Sequence, residues 1–280
     1  MVIKKTKNNI RVLFIVVLAG FLISAPLYKA YAVFITPVFV SFDKNRNAAQ
    51  ITLNNRSNQS KVITFEWERR VLNEQGQSIL LQEGQTAHNY RPVDPYIKFS
   101  PRRVILKPKQ HQVVRLVAQR PRDLPPGEYR SHLLIKEEGL TEKGLPRSSQ
   151  QQGLSGHVIV DVNKSIPVFL RQGDTTVNVT LEQASIKLRG GRQYLSITLG
   201  NDSTRSVYAN IYLNCKKSGE AMEWRVMPLR IYAERDHIQK TVVLADDVDL
   251  DGCDDVVASV KVRNDYEFGG KSIASGIVSR

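Results

Sequence analysis

Ser100-Pro101-Arg102-Arg103-Val104-Ile105-Leu106-Lys107-Pro108 is followed by Gln112-Val113-Val114-Arg115-Leu116 and then by Leu124-Pro125-Pro126-Gly127-Glu128-Tyr129. The first two pieces are short runs rich in β-branched residues, separated by Pro and Lys. They read as extended segments joined by a tight turn. The Pro-Pro-Gly turn opens directly onto a third run, residues 128–136, that begins with Glu128-Tyr129. A Tyr at the start of such a strand can hydrogen-bond back to the chain just upstream and fix the corner of a two-sheet sandwich. The segment therefore points to an immunoglobulin-like β-sandwich.

Outward from there the period stays at two. Upstream lie residues 33–42 (VFITPVFVSF, with Pro37 inside), 49–54 and 61–71. Downstream lie 157–162, 176–181, 194–199, 206–213, 226–231, 240–244 and 256–262. No sustained 3.6-residue apolar stripe interrupts them, so the chain is all-β. Roughly thirteen strand candidates are too many for one seven-stranded sandwich and suit two. The expected domains are residues 33–165 and 166–280, divided at Ile166-Pro167-Val168-Phe169-Leu170-Arg171-Gln172-Gly173-Asp174. Charge divides with them: residues 33–165 hold 20 Lys+Arg against 12 Asp+Glu, and residues 166–280 hold 15 of each. The basic excess on the first domain suits an acidic partner or a carboxylate.

The 280-residue chain, at a formal +13, starts with Lys4, Lys5, Lys7 and Arg11, then an apolar run over residues 12–25, and then Ala30-Tyr31-Ala32. That is the layout of a secretory leader, residues 1–32, with cleavage before Val33. The apolar run is short for a membrane span, so an uncleaved anchor is the minor alternative and no stable membrane insertion is expected after cleavage. Export makes the basic charge a poor argument for nucleic acid, and no basic tail or aromatic-interleaved basic stripe is present. It also places Cys215 and Cys253, the two cysteines, where a disulfide is their simplest state.

Motifs for chemistry are sparse. There is no G-x-S-x-G, Walker A, G-x-G-x-x-G or H-E-x-x-H, and Ser41-Phe42-Asp43-Lys44 matches S-x-x-K at a strand end without its partners. No enzyme, cofactor or metal is expected. Asp247-Val248-Asp249-Leu250-Asp251-Gly252 matches the first half of a calcium loop, but its twelfth position is Ala258 rather than a bidentate Glu. A solvated acidic loop tied down by the cysteine bridge is the simpler reading.

One more strand stands out, residues 154–164. Leu154, Val158, Val160 and Val162 share one face, with Gly156 as its small member, and the other face is mostly polar. An apolar face on the last strand of a sandwich closes its own core or is offered to another protein.

Together with Lys164-Ser165-Ile166-Pro167-Val168-Phe169, these motifs resemble the periplasmic pilus-assembly chaperones of the chaperone–usher pathway, the PapD-like family. The resemblance covers the whole mature chain. The wording Tyr129-Arg130-Ser131-His132-Leu133 is most similar to the archaic branch that serves spore-coat-U and Csu-type pili. The resemblance implies two immunoglobulin-like domains set at an angle and partners in pilus subunits and an outer-membrane usher. It also implies donor-strand complementation, in which residues 154–164 fill the groove of an incomplete subunit. Residues 33–42 would be the neighbouring first strand. The family anchors the subunit's terminal carboxylate with a base in each of these two strands. Residues 33–42 contain none, leaving Lys164, with Arg102, Arg103 and Arg171 as possible substitutes or, for Arg102 and Arg103, plain surface residues. The competing reading from another class is an exported carbohydrate-binding or adhesin-like protein of two sandwiches.

Overall fold

The computed structural model describes residues 33–73, 76–139, 162–264 and 269–279. The first half of the chain supplies β1 (Phe34–Thr36), β2 (Val40–Phe42), β3 (Ala48–Asn54), β4 (Lys61–Glu68), β5 (Arg70–Leu72), β6 (Ser78–Leu80), β7 (Ile97–Ser100), β8 (Arg103–Leu106), β9 (His111–Ala118), β10 (Gly127–Gly139) and β11 (Val162–Gln172). One sheet runs β1-β3-β9-β7 and the facing one β2-β11-β10-β4-β8, with β5 and β6 as a separate hairpin. Alternation builds the core between the two sheets: Ile51 and Leu53 of β3, Val114 and Leu116 of β9, and Leu133 and Ile135 of β10 are all buried together.

The second half supplies β12 (Val179–Arg189), β13 (Arg192–Asn201), β14 (Val207–Lys217), β15 (Glu220–Ile231), β16 (His237–Val243), β17 (Cys253–Val262) and β18 (Ser272–Ile277). They form a β12-β13-β16 sheet and a β15-β14-β17-β18 sheet around a second core that includes Leu195, Leu199, Ile211, Leu213 and Ile231. Cys215 on β14 and Cys253 on the adjacent β17 are joined by a disulfide, as expected from the leader and the even count. The architecture is two β-sandwiches.

Two local features carry the corner. The Tyr129 hydroxyl donates to the Pro125 carbonyl at 2.9 Å, the bond that the Leu-Pro-Pro-Gly-Glu-Tyr motif predicts. Gly127 sits at φ +132°, and a Cβ there would lie 2.8 Å from the Arg91 guanidinium, which itself donates to the Pro126 carbonyl.

Residues 33–42 are two strands, not one extended run. Pro37 has no N–H to give a ladder, and the chain changes sheets there. β1 pairs antiparallel with β3, while β2 pairs parallel with β11 over Val168–Leu170. The divide expected at 165/166 falls inside β11. That strand stays paired with β10 from Val162 to Gln172, and Ile166, Val168 and Leu170 belong to the first core. Its other face reaches across, since Phe169 is wholly buried in the second core against Tyr208.

Candidate functional site

The site is built around β11, whose two halves have different surroundings. From Ile166 to Arg171 every side chain is buried, because the first core covers one face and the second sandwich the other. N-terminal to that, Asn163 and Ser165 are exposed and Lys164 is half-buried. β10 pairs with one backbone edge of β11 throughout. On the other edge β2 reaches only Val168–Leu170, so among the described residues no strand pairs with residues 162–167 on that side. An unpaired strand edge presents a row of backbone donors and acceptors to any extended chain that can lie along it.

A cleft of about 340 Å³ opens beside this edge. Phe34, Val38 and Phe39 line it from the N-terminal run, Lys164 to Pro167 from β11, and Tyr208, Arg230 and Arg263 from the second sandwich. Phe34 and Val38 are about half exposed and lie together on the cleft, so the exposed apolar surface there is contiguous. Burial in the cleft pulls the Lys164 ammonium below its ordinary range, and the nearby Glu137 carboxylate only partly offsets this.

The two sandwiches are joined by buried ionic groups on the even-numbered face of β10. Glu128 and Arg171 are direct cross-strand partners, bonded at 3.0 Å. Glu128 also accepts the Ser206 N–H at 2.9 Å and the Ser206 hydroxyl, and Arg171 reaches Asp43 at 3.1 Å. Two residues on, Arg130 is ion-paired with Glu234 and stacks on Tyr232, its guanidinium carbon 3.9 Å from the ring centroid. Burial pushes the Glu234 carboxyl up while the Arg130 charge pulls it the other way. His132 follows on the same face, and burial, reinforced by Arg130, holds its imidazole down at about 2.

The sequence-expected residues divide three ways. Leu154, Val158 and Val160 lie outside the described residues, while Val162 opens β11. Lys164 lines the cleft. The others lie elsewhere. Arg171 is buried in the ionic joint between the sandwiches, where Glu128 and Asp43 already engage it. Arg102 packs on Phe99, and Arg103 opens β8, the far edge of the sheet, with β4 and β10 between it and β11. The cleft bases that sequence reasoning missed are Arg230 and Arg263. Both lie on the second sandwich, and only the packing of the two sandwiches brings them to β11. In the acidic loop, Asp249 accepts from the Lys217 ammonium at 2.6 Å and from the Asp251 N–H at 3.0 Å. Among the described residues no group of three or more His, Cys, Asp or Glu is placed to hold a metal ion. No helix among them is long and apolar enough to cross a membrane.

No protein-family model matches the chain, and no curated protein does. Among solved structures it is similar to a chain in the chaperone–tip adhesion subunit pre-assembly complex CsuC–CsuE, from the archaic Csu pili of Acinetobacter baumannii. That match has 13% identity over 89% of this chain and 99% of the other, at a TM-score of 0.48. The Pseudomonas aeruginosa CupB2 chaperone matches with 12% identity over 87% and 98%, at 0.44. The E. coli chaperone DraB matches with 12% identity over 88% and 97%, at 0.41.

Proposed function

We propose that this protein is an exported, periplasmic pilus-assembly chaperone, a binding protein rather than an enzyme, that holds pilus subunits by donor-strand complementation and delivers them to an outer-membrane usher. The observation that carries the reading is the backbone edge of residues 162–167, which has no strand partner among the described residues and lies beside an apolar cleft. A subunit strand laid along this edge gains main-chain hydrogen bonds from β11 and side-chain burial from Phe34 and Val38. Ile166, Val168 and Leu170 of β11 lie in the first core, and in the sequence Val162, Val160, Val158 and Leu154 fall at the same even-numbered positions. These four are the donor residues in the reading. Lys164 provides the cationic anchor at the end of that stretch, and Arg230 and Arg263 add positive charge from the opposite wall. As domains, residues 33–172 form the donor-bearing sandwich and residues 173–280 the second.

The test is co-expression of the full chain with a candidate subunit in a periplasm, followed by pull-down and sizing. A soluble one-to-one complex is expected. Val160→Arg and Lys164→Glu should each leave a folded chaperone that no longer retains subunit. A folded Val160→Arg protein that still co-purifies with subunit refutes the donor assignment.

A further inference from the structure

Val33 is almost fully buried, yet it is the residue that follows Ala30-Tyr31-Ala32. The compact unit that holds both sandwiches begins at that same residue. Its backbone nitrogen donates to the Glu137 carboxylate at 2.8 Å, inside the structure and 104 positions away in the chain. Glu137 is itself buried at the C-terminal end of β10, with the Lys61 ammonium 3.2 Å from its other oxygen. The Val33 carbonyl accepts from the Lys164 ammonium. Both backbone ends of this one residue are therefore held by charged side chains, and the carboxylate is on the nitrogen.

We infer that Glu137 is the receptor for the α-ammonium that leader removal creates at Val33, so that proteolytic maturation completes a buried ion pair and fastens the first strand beside the cleft. Hydrolysis of the Ala32–Val33 amide by a leader peptidase consumes one water. The carboxylate leaves on Ala32 and the primary amine stays on Val33, where it takes up a proton, since an α-amine is largely protonated at neutral pH. The bond then changes from a neutral amide donor to a charged one. A separation of 2.8 Å suits an amide N–H on a carboxylate and equally the N⁺–H···O⁻ contact that would replace it, which adds attraction between two full charges. Lys164 is held by the same residue and lines the cleft, so maturation also sets the position of that side chain.

The pair requires leader removal but not chaperone activity, and the experiment separates the two. The full precursor is expressed in a periplasm and the purified protein is sequenced from its N-terminus. A single serine inserted between Ala32 and Val33 keeps the charge but moves it off Glu137. It should lower Tm by about 2–4 °C, and by nothing further in a Glu137→Gln background. If Glu137→Gln does not fold, labelling of the α-amine by an acylating reagent at neutral pH serves instead. The native amine should react at least about tenfold more slowly than that of the insertion variant, a difference of 1.4 kcal/mol in protection. A mature chain that begins elsewhere than Val33, an insertion that leaves Tm unchanged, an equal loss with and without Glu137, or equal labelling rates overturns the inference. Subunit capture is scored separately, and its failure alone leaves the ion pair standing.

Discussion

Acid should weaken this protein through one buried imidazole. His132 lies between the sandwiches, its Nδ1 3.4 Å from the Arg130 guanidinium and its ring edge-on to Tyr232. Burial first, and then the charges of Arg130, Arg70 and Arg230, hold its folded pKa at about 2. An unfolded His titrates near 6.5. Between those values the unfolded chain binds a proton that the folded one refuses, so stability falls as pH falls below about 6.5 and is intact above it. Integrated from pH 7 to pH 4.5, the loss attributable to His132 is about 2.5 kcal/mol, since each pH unit well inside the window costs about 1.4 kcal/mol.

The assay is urea unfolding at pH 7.0, 5.5 and 4.5 for the native protein and for His132→Gln, whose amide oxygen can still accept from Arg130. Two carboxyls also have shifted ranges, Glu234 in the joint and Asp94 on the other side of β10 beside Ser131. Glu234 is pushed up by burial. Asp94 is raised by burial but pulled down further by hydrogen bonds from Arg69 and Ser131. Both are present in the two proteins, so the difference between them isolates the imidazole. The native protein should lose about 2.5 kcal/mol more than the variant over this range. Parallel pH profiles would refute the claim that the joint buries a neutral histidine.

Glu234→Gln leaves the Arg130 charge buried without its partner and should cost about 3–5 kcal/mol by chemical denaturation, whereas the paired change Arg130→Met with Glu234→Leu should recover most of that loss. Replacing both cysteines by Ser opens a cross-link of 38-residue separation and should cost about 4 kcal/mol on loop entropy, read as the fall in the urea midpoint against the oxidised protein. Asn55, wholly buried, donates to the Leu106, Lys107 and Gln59 carbonyls. Asn55→Ala strands these acceptors and should lower stability by about 2–4 kcal/mol, while Ser57→Ala, which removes only one member of the same turn, should cost about 1 kcal/mol.

The legible part of this fold was whatever alternation and turn chemistry could carry. The corner at Tyr129, the disulfide and the two-sandwich architecture each follow from local residues or from the leader. Strands without such a signal were missed. β18 reads Ser-Ile-Ala-Ser-Gly-Ile, with no buried position along it, and β6 is exposed at all three residues, so neither shows a core face. The joint was missed for the opposite reason. Glu128, Arg130 and His132 alternate with Tyr129, Ser131 and Leu133, the pattern of a sheet with one face in water. In the structure that polar face is buried, because the second sandwich covers it and supplies Ser206, Tyr232 and Glu234 as partners. No periodicity marks such a contact, since the partners lie some eighty to a hundred residues away in the chain.

The same joint gives β11 two roles. Past Ile166 it is fixed on both faces, by Val168 and Leu170 in one core and by Phe169 in the other, with Arg171 engaged by Glu128 and Asp43. Before Ile166 its one strand partner among the described residues is β10, with a half-buried lysine and exposed Asn163 and Ser165. In the proposed function, a strand that offers its edge to another chain must keep its direction while giving up neighbours, and the buried half would supply that direction. It follows that Phe169→Ala should do more than open a cavity. The deletion should cost about 3–5 kcal/mol, and it removes the aromatic contact with Tyr208 on the cleft wall. In the proposed function, subunit retention should then fall even at temperatures where the variant remains folded. A Phe169→Ala protein that is destabilised yet retains subunit normally would show that the donor edge does not depend on the joint.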